Sequence, residues 1–509
     1  MMSEARVMRE SDKHFPDMIN GLRDRIAFLS FTSEQTSPPA SAPASLRKEG
    51  KPSMRQLQAG FARADVTPMM GIGISGYYVP RNARRVLDAL EVCALALACG
   101  EERAVLLSID NCGLAPTSTF DACRQRIAEA LGLPVAAVLI ACTHTHTSPF
   151  WDESSEDALV REYSQLLSHR LVDAARFAFE DLRPARMGYA VGNAPHVAFV
   201  RRFRMRDGSI QTNPGVGNPD IVEPIGEVDE RVNVLRFDRE GGDTLVLVNF
   251  GNHPDVVGGE NISADWPGLA RRAVERALPG SRCIFFNGAQ GDVNHVNVHP
   301  QGGDMNDLAP DFDDVARGYG HARHIGNVIA GAVMQVYDKT AYVPVDSLRC
   351  AARRVQVASN LPRSEDLPLA RRYAQLHREG RDDEIPFRGM QLTTVVAEAE
   401  RMLRLEHGPA AFELELGAVA IGDVALFGIP GEPFTGIGRA LKEAPGWALV
   451  LPMCITNGYE GYFPTREAYD EGGYEARSSV YAAGVAETIS AEGLTLLKEL
   501  EQRKDKDTP

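Results

Sequence analysis

The sequence predicts an α/β fold: a single large layered domain with a mixed sheet and a metal site at the carboxyl ends of several strands. Two observations support this prediction. Apolar runs of strand length alternate with amphipathic helical segments from residue 71 onward. Five of these runs end near residues that can bind a metal or move a proton. With 509 residues, 44% of them hydrophobic, the chain can bury a large core.

Charge and cysteine usage limit the classes of function. The formal net charge is -15 and the pI is near 5.4, so a phosphate backbone would be repelled and no nucleic acid partner is expected. No run approaches the roughly 20 apolar residues of a membrane span. The eight cysteines show no CxxC pairing. We therefore expect a cytoplasmic protein with reduced thiols and no membrane span.

The first 53 residues differ in composition from the rest of the chain. Residues 32–45 are rich in Pro, Ser and Ala, and residues 1–52 contain no apolar signal-peptide core. We expect residues 1–53 to form a disordered leader and residues 54–509 to form the folded catalytic domain. Its first strand is predicted within Arg55–Pro68.

The other elements follow from periodicity and turn residues. In the first half we predict a hairpin of Leu90–Cys99 and Ala104–Ile109, a helix capped by Thr117 or Ser118 and ending near Leu131, a strand from Val138, and helices over Glu156–Leu182 and Pro267–Leu278. In the second half we predict a helix over Asp313–Tyr337, a long strand over Val343–Ala358, helices over Asp366–Glu379 and Met390–Glu406, a hairpin of Phe412–Leu416 and Ala418–Phe427 that turns at Gly417 and again at Gly422, and a charged helix over Glu492–Lys506.

The most informative stretch is the apolar strand at Val138, which ends in the polar run Thr143–Ser148. His144 and His146 are two residues apart, so in an extended segment their side chains point the same way. Both imidazoles could face one ion, or one could bind the ion while the other handles a proton. For an isolated HxH pattern, a polar loop whose histidines only form hydrogen bonds is an equal alternative.

Four more apolar strands end near reactive residues. They are Thr244–Phe250 before His253, Cys283–Asn287 before Asp292 and Asn294, Val424–Ile429 before Glu432, and Ala448–Ile455 before Tyr459 and Tyr462. Any one of these has a simple explanation, a polar residue where the chain meets solvent. In α/β sheets, however, ligands bind at the carboxyl ends of the strands. Two histidines and one carboxylate are a ligand type of catalytic zinc, which keeps a position for water.

Other constellations are weaker candidates. Asp292, His295 and His299 could form a second metal site, but His299 precedes a proline in a loop where histidines are usually solvated. His321 and His324 lie three residues apart in a predicted helix, which more often indicates a packed face. The glycine-rich run at residues 71–76 lacks the helix that a dinucleotide-binding loop requires.

Five short motifs resemble, in the same order, those of the neutral/alkaline ceramidases, which are zinc amidases that cleave the N-acyl bond of ceramide. The motifs are Thr143-His-Thr-His-Thr-Ser-Pro149, Asn252-His253-Pro254, Gly291-Asp-Val-Asn294, Pro430-Gly-Glu432, and Asn457-Gly-Tyr-Glu-Gly-Tyr462 continuing to Tyr474-Glu475. The resemblance spans about Gln56 to Tyr474, which is nearly the whole folded chain. It implies a catalytic domain of this type.

The resemblance also implies roles for individual residues. The implied zinc ligands are His144, His253, Glu432 and Tyr462. The implied active-site residues are His146, beside the metal, together with Arg201, Asn294 and Tyr474. Arg201 follows Val200, whereas the arginine of the family follows an asparagine.

The chain departs from the family pattern in two places. The family carries a C-terminal immunoglobulin-like domain, and only some 35 residues follow Tyr474, so we expect the catalytic domain alone. The family run reads G-D-V-S-P-N and counts its serine among the active-site residues, whereas this chain has Asn294 followed by His295. We therefore expect a substrate other than ceramide, or one smaller than it.

The expected function is a zinc-dependent hydrolase that cleaves the amide bond of a small-molecule N-acyl substrate. Metal-activated water would attack the carbonyl, so no side-chain nucleophile is required. The Asn294 amide is expected to donate a hydrogen bond to the carbonyl oxygen or to hold the water. The alternatives are a metal-dependent ester or lactone hydrolase and a non-catalytic metal-binding relative. Whether the chain forms a homo-oligomer is left open.

Overall fold

A computed structural model describes residues 56–507 of the chain, so the predicted disordered leader, residues 1–53, lies outside the described residues. The largest element is a nine-stranded sheet. Its strands are β1 (Leu57–Asp65), β2 (Glu91–Cys99), β3 (Glu102–Ile109), β4 (Val138–Cys142), β5 (Arg183–Asn193), β6 (Arg231–Arg239), β7 (Thr244–Phe250), β8 (Ser281–Asn287) and β9 (Ala341–Val343).

The nine-stranded sheet is mixed, as predicted. Its strand order is β8-β7-β6-β5-β1-β2-β3-β4, with β9 also paired to β5. The pairs β3/β4 and β7/β8 are parallel, and the other pairs are antiparallel. The predicted hairpin of β2 and β3 is confirmed, with Cys99 opposite Glu102.

A second sheet has four strands, in the order β10-β11-β12-β13. These are β10 (Leu348–Ala358), β11 (Ala411–Ile421), β12 (Val424–Gly428) and β13 (Leu449–Met453). The last two are parallel and the others antiparallel. The predicted long strand Val343–Ala358 is therefore divided, because its first residue belongs to β9 of the larger sheet.

The predicted turn at Gly417 is wrong, since β11 continues through this residue. Gly417 pairs with Ala352 on one side and Gly428 on the other, and these two ladders hold it in the strand. A Cβ atom at Gly417 would lie 3.0 Å from Leu139 Cδ2 on β4. The glycine therefore permits close approach of the two sheets. The predicted turn at Gly422 is confirmed.

Within residues 56–507, ten α-helices accompany the two sheets. They are α1 (Thr117–Leu131), α2 (Ala158–Glu180), α3 (Asp265–Ala277), α4 (Tyr319–Tyr337), α5 (Leu367–Arg378), α6 (Gly389–Leu405), α7 (Thr435–Lys442), α8 (Arg466–Glu471), α9 (Tyr474–Ser478) and α10 (Val485–Asp507). The helix α1 begins after Pro116 with no side-chain cap, so the predicted capping by Thr117 or Ser118 is wrong. None of the helices in residues 56–507 has the length and hydropathy needed to cross a bilayer.

Short strands pair locally outside the two sheets. They are Arg85–Val86, Phe199–Val200, Arg202–Met205, Ile210–Thr212, Ile221–Pro224, Asn261–Ile262, Val293–Asn294, Ala309–Pro310, Ala316–Arg317, Glu432–Pro433 and Tyr462–Phe463.

The core is arranged in four layers, helices, large sheet, small sheet and helices. Side chains alternate along each strand, so Val92 and Ala94 of β2 pack toward α1 and α2, whereas Cys93 and Leu95 pack toward the small sheet. The helices α3 and α4 cover the other half of the large sheet, and α7 and α10 cover the outer face of the small one. This arrangement buries strands on both faces.

The large sheet curls until β8 lies beside β3 and β4. Ser108 on β3 donates a hydrogen bond of 2.5 Å to the Phe285 carbonyl on β8, and Asn287 at the end of β8 donates one of 3.1 Å to the Thr143 carbonyl. The segment after β13 closes the arrangement, because Asn457 hydrogen-bonds both the N–H and the carbonyl of Ile140 on β4. The carboxyl ends of β4, β7, β8, β12 and β13 therefore lie together.

Candidate metal centre

His144 follows β4 in a backbone conformation that L-residues rarely adopt. Its φ is +73°, a left-handed value that costs a non-glycine residue free energy and persists only when the surroundings hold it. The His144 N–H donates to the Asn111 carbonyl at 2.9 Å. Its ring Nδ1 lies 2.6 Å from the Cys112 carbonyl oxygen, so Nδ1 donates and Nε2 carries the lone pair. Both contacts orient the ring toward the other strand ends.

Two histidines and one carboxylate converge on a single point. The Nε2 atom of His144 lies 3.4 Å from Glu432 Oε2, and the Nε2 atom of His253 lies 3.7 Å from the same oxygen. All three ligand atoms lie within 4.8 Å of one another, and none of the three side chains is more than 2% exposed. Ligands about 2.0–2.2 Å from a tetrahedral zinc ion would lie about 3.4 Å apart. The donor set therefore fits a divalent ion.

Glu432 is positioned from two sides. The short strand Glu432–Pro433 pairs in parallel with Tyr462–Phe463. Its carboxylate accepts hydrogen bonds from the Tyr459 hydroxyl at 3.0 Å and from Gln290 Nε2 at 3.2 Å. Burial alone would raise the pKa of Glu432, but the neighbouring His144 imidazole and the Arg201 cation hold that pKa below its usual value. The group is therefore held as an anion.

His146 lies beside the three ligands. Its Nε2 is 3.1 Å from His144 Nε2, and its ring centroid is 4.7 Å from that of His144 and 5.0 Å from that of His253. Burial and the nearby His144 ring lower the pKa of His146 well below its usual value, so the imidazole is neutral. Gly76 is needed here, because a Cβ would lie 2.9 Å from the His146 side chain.

Arg201 is fully buried and makes three polar contacts. Its Nε donates to Glu475 at 2.7 Å, its Nη2 donates to the Gly291 carbonyl at 2.7 Å, and its Nη1 lies 3.4 Å from His253 Nδ1. Its guanidinium also lies over the Tyr462 ring, with Cζ 5.4 Å from the ring centroid. Burial and Glu432 raise the pKa of Tyr462 well above its usual value, and Arg201 opposes this. Arg201 thus links Tyr462 to His253.

The remaining two residues singled out by the resemblance differ in their surroundings. Tyr474 is half-buried, and its ring lies 5.5 Å from that of Tyr462, next to the metal cluster. The Asn294 amide donates to Asn213 Oδ1 at 2.8 Å and accepts from the Val296 N–H at 3.0 Å. These contacts connect Asn294 to neighbouring loops. Its action on a substrate oxygen stays a prediction.

Three residues in contact with the centre were missed from the sequence. Cys112 follows the carboxyl end of β3, Gln290 precedes the Gly291 motif, and Glu475 follows Tyr474. The rule that reactive residues follow strand ends would have selected Cys112 if it had been applied to β3. Glu475 is a buried carboxylate inside a quoted motif, and its partner Arg201 is 274 positions away.

The alternative metal site of Asp292, His295 and His299 does not form. Asp292 accepts hydrogen bonds of 2.7 Å from Thr435, His295 contacts the Ala316 carbonyl, and His299 is exposed. Within residues 56–507, two groups of three or more His, Cys, Asp or Glu side chains have the spacing of metal ligands. One is the set described above, and the other combines Cys112 with the two histidines of the HxH run.

Glu475→Gln is expected to weaken metal binding about 10–100-fold, the usual cost of losing a group that orients a ligand. The substitution keeps the shape and an acceptor for Arg201, but it removes the charge that balances the buried guanidinium next to His253. Metal affinity is measured by competition with a chromophoric chelator. Glu471→Gln is the matched control, since Glu471 pairs with Arg202 and is 23% exposed. Equal affinities in both variants would contradict the prediction.

Comparison with known proteins identifies the fold. No family model matches the chain, and no curated protein matches it in sequence. Among solved structures, a neutral ceramidase from Pseudomonas aeruginosa superposes with a TM-score of 0.65 at 16% identity, covering 88% of this chain and 75% of the ceramidase. A ceramidase complexed with C2 gives a TM-score of 0.65 at 18% identity, covering 88% and 76%. The resemblance to neutral ceramidases is confirmed at the level of the fold.

Proposed function

We propose that this protein is a zinc-dependent amidohydrolase that cleaves the N-acyl bond of a linear amide, ceramidase-like in its centre. The observation that carries the proposal is the buried convergence of His144, His253 and Glu432 on one point, with His146 beside it. The fold shared with two ceramidases supports it. The substrate is proposed to be a small-molecule N-acyl compound, smaller than ceramide or different from it.

The donor chemistry favours zinc. Imidazole nitrogens with one carboxylate oxygen are a ligand set of catalytic zinc sites, which leave a position for water or substrate. Tyr462 is proposed as a fourth ligand, because the parallel pairing of Tyr462–Phe463 with Glu432–Pro433 places Tyr462 beside Glu432. A bound divalent ion supplies Lewis acidity, which polarises a carbonyl and lowers the pKa of water.

His146 is proposed to move the proton. Hydrolysis of an amide forms a bond from a water oxygen to the carbonyl carbon and breaks the C–N bond, and a proton must pass from the water to the leaving nitrogen. The neutral His146 imidazole can accept that proton at Nε2, the atom nearest His144, and then return it to the amine. No side-chain nucleophile takes part in this scheme, so no acyl-enzyme is expected.

The other site residues are proposed to position the ligands and the substrate. Arg201 lies over the Tyr462 ring and against His253, and its charge is balanced by Glu475. Tyr474, half-buried and with its ring 5.5 Å from that of Tyr462, is proposed to contact the substrate. Asn294 is proposed to donate to the substrate carbonyl oxygen or to hold the water, which requires its amide to keep a free hydrogen beyond the one given to Asn213.

We also propose that the enzyme works in the cytoplasm without a nucleic acid partner. The eight cysteines show no CxxC pairing and lie mostly within apolar runs, a pattern expected of thiols in a reducing compartment. The net charge of -15 opposes binding to nucleic acid.

The function is tested with a panel of N-acyl amides, matched esters and ceramides, each assayed with and without a chelator. We expect chelator-sensitive amide hydrolysis that zinc restores, with no acyl group retained on the protein by mass spectrometry. If only the esters were hydrolysed, the protein would be an esterase and the proposed amidase function would be wrong. A metal content below about 0.2 zinc per chain in protein purified without chelators would contradict the zinc centre, since a working site binds its ion tightly.

A further inference from the structure

Cys112 lies on the opposite side of His144 from Glu432. The parallel pairing of β3 with β4 places Ile109 beside Cys142. The segment that follows β3 then brings Cys112 next to the His144 ring. The Cys112 N–H donates to Ser148 Oγ at 2.8 Å, which fixes the backbone. The thiol sulfur is 3.7 Å from His144 Nδ1, and the residue is 1% exposed.

The Cys112 sulfur is part of a second set of potential ligands. The ligand atoms of Cys112, His144 and His146 all lie within 4.8 Å of one another. His146 contributes a nitrogen 3.1 Å from His144 Nε2, and its other nitrogen, Nδ1, is buried with no hydrogen-bond partner in residues 56–507. One sulfur and two imidazoles form a softer donor set than two imidazoles and a carboxylate.

We propose that Cys112, His144 and His146 form a second metal position that takes a soft, thiophilic cation such as Cd²⁺. The thiol releases its proton to solvent as the sulfur binds the ion. This position goes beyond the proposed hydrolase activity, since its occupation does not require any substrate to be cleaved. It predicts instead that a soft, thiophilic cation binds at the centre in a different position from zinc.

The two positions exclude each other because they share His144. A neutral imidazole has one lone pair. With Nδ1 protonated, that lone pair lies at Nε2 and faces Glu432, whereas an ion beside Cys112 needs the other tautomer, in which Nδ1 gives up its hydrogen bond to the Cys112 carbonyl and binds the ion. His146 is also withdrawn from proton transfer when it binds the soft ion. A thiophilic cation should therefore displace the ion at His144, His253 and Glu432 one for one.

The test uses Cd²⁺ as the probe on the full chain after its metal has been removed with a chelator. Wild-type protein is expected to bind one Cd²⁺ with a sulfur-to-cadmium charge-transfer band in the ultraviolet. Cys112→Ser should lose the band and bind Cd²⁺ more than about tenfold more weakly. Cys123→Ser is the control, because Cys123 is an equally buried thiol that packs in the core on α1.

Several outcomes decide the proposal. Binding of one Cd²⁺ to the metal-free protein, with the band in wild type and Cys123→Ser but not in Cys112→Ser, supports it, as does release of zinc by one equivalent of Cd²⁺ from protein reloaded with zinc. Cadmium bound without the band, or a band of equal strength in Cys112→Ser, overturns it. Should Cys112→Ser fail to fold, X-ray absorption of the wild-type cadmium protein decides, since a shell of nitrogen and oxygen without sulfur excludes Cys112. None of these readouts depends on amidase activity.

Discussion

His253→Ala is expected to lower metal affinity by more than about 100-fold, beyond the usual cost of disturbing a group behind a ligand, and to abolish hydrolysis. The substitution removes one of three ligand atoms that meet at Glu432, and the alanine offers no replacement donor. His144→Ala and Glu432→Ala should have the same effect. Tyr462→Phe should retain some metal, because three ligands remain.

The measurement is metal content after dialysis against a metal buffer, together with turnover and thermal unfolding. His299→Ala is the control, since His299 is an exposed loop histidine away from the cluster. The His253→Ala protein should remain folded. Zinc binding by His253→Ala as tight as in wild type would remove His253 from the ligand set and leave the centre without its proposed geometry.

Arg271→Ala is expected to lower the free energy of unfolding by about 3–5 kcal/mol, the cost of leaving a buried charge without its partner. Arg271 on α3 is 1% exposed and donates to both oxygens of Asp110, at 2.8 and 2.6 Å. Asp110 follows β3 and is 0% exposed. It also lies 3.3 Å from the Thr143 hydroxyl. Loss of the Arg271–Asp110 ion pair should therefore also disturb the segment next to the metal ligand His144.

Denaturant unfolding with two independent probes measures this effect. Arg276→Ala on the same helix is the matched control, because Arg276 is exposed and its removal should change stability by no more than about 0.5 kcal/mol. A similar small change in Arg271→Ala would mean that water reaches Asp110 once the guanidinium is gone.

The sequence was sufficient to predict the strand ends that build the centre. Each of the strands β4, β7, β8, β12 and β13 contains three or more consecutive apolar residues, so its end and the reactive residue after it can be recognised from the local sequence. The strands in the middle of the large sheet could not be predicted in this way. The strand β5 contains Gly188 and Gly192, where a Cβ would lie 2.6 Å from Thr340 and 2.6 Å from the Ala332 carbonyl. Glycines needed for close packing break the apolar pattern that identifies a strand.

The contacts around the ligands likewise could not be predicted from local sequence patterns. Cys112 approaches His144 because β3 pairs with β4, and Glu475 approaches Arg201 because α9 is held to the short strand Ile210–Thr212, where the Thr212 hydroxyl donates to Glu475. Both depend on which strands are adjacent, and a single sequence does not record adjacency. The HxH alternation predicted that both imidazoles would face one way from an extended segment. Their ring centroids lie 4.7 Å apart, but His144 is not extended, with a φ of +73°, so strand alternation is not what brings the two rings together. Their division into ligand and proton carrier stays a prediction.

The hydrogen bonds between Asn457 and Ile140 also govern when the centre can form during synthesis. They join positions 317 residues apart, and contacts of such long sequence separation form late because loop closure must come first. A nascent chain carrying His144 and His253 still lacks Glu432 and the segment that closes the curled sheet. Until Glu432 and Asn457 have left the ribosome, the histidines lack their carboxylate partner and the segment that closes the sheet, so the centre should acquire its ion only after both have emerged.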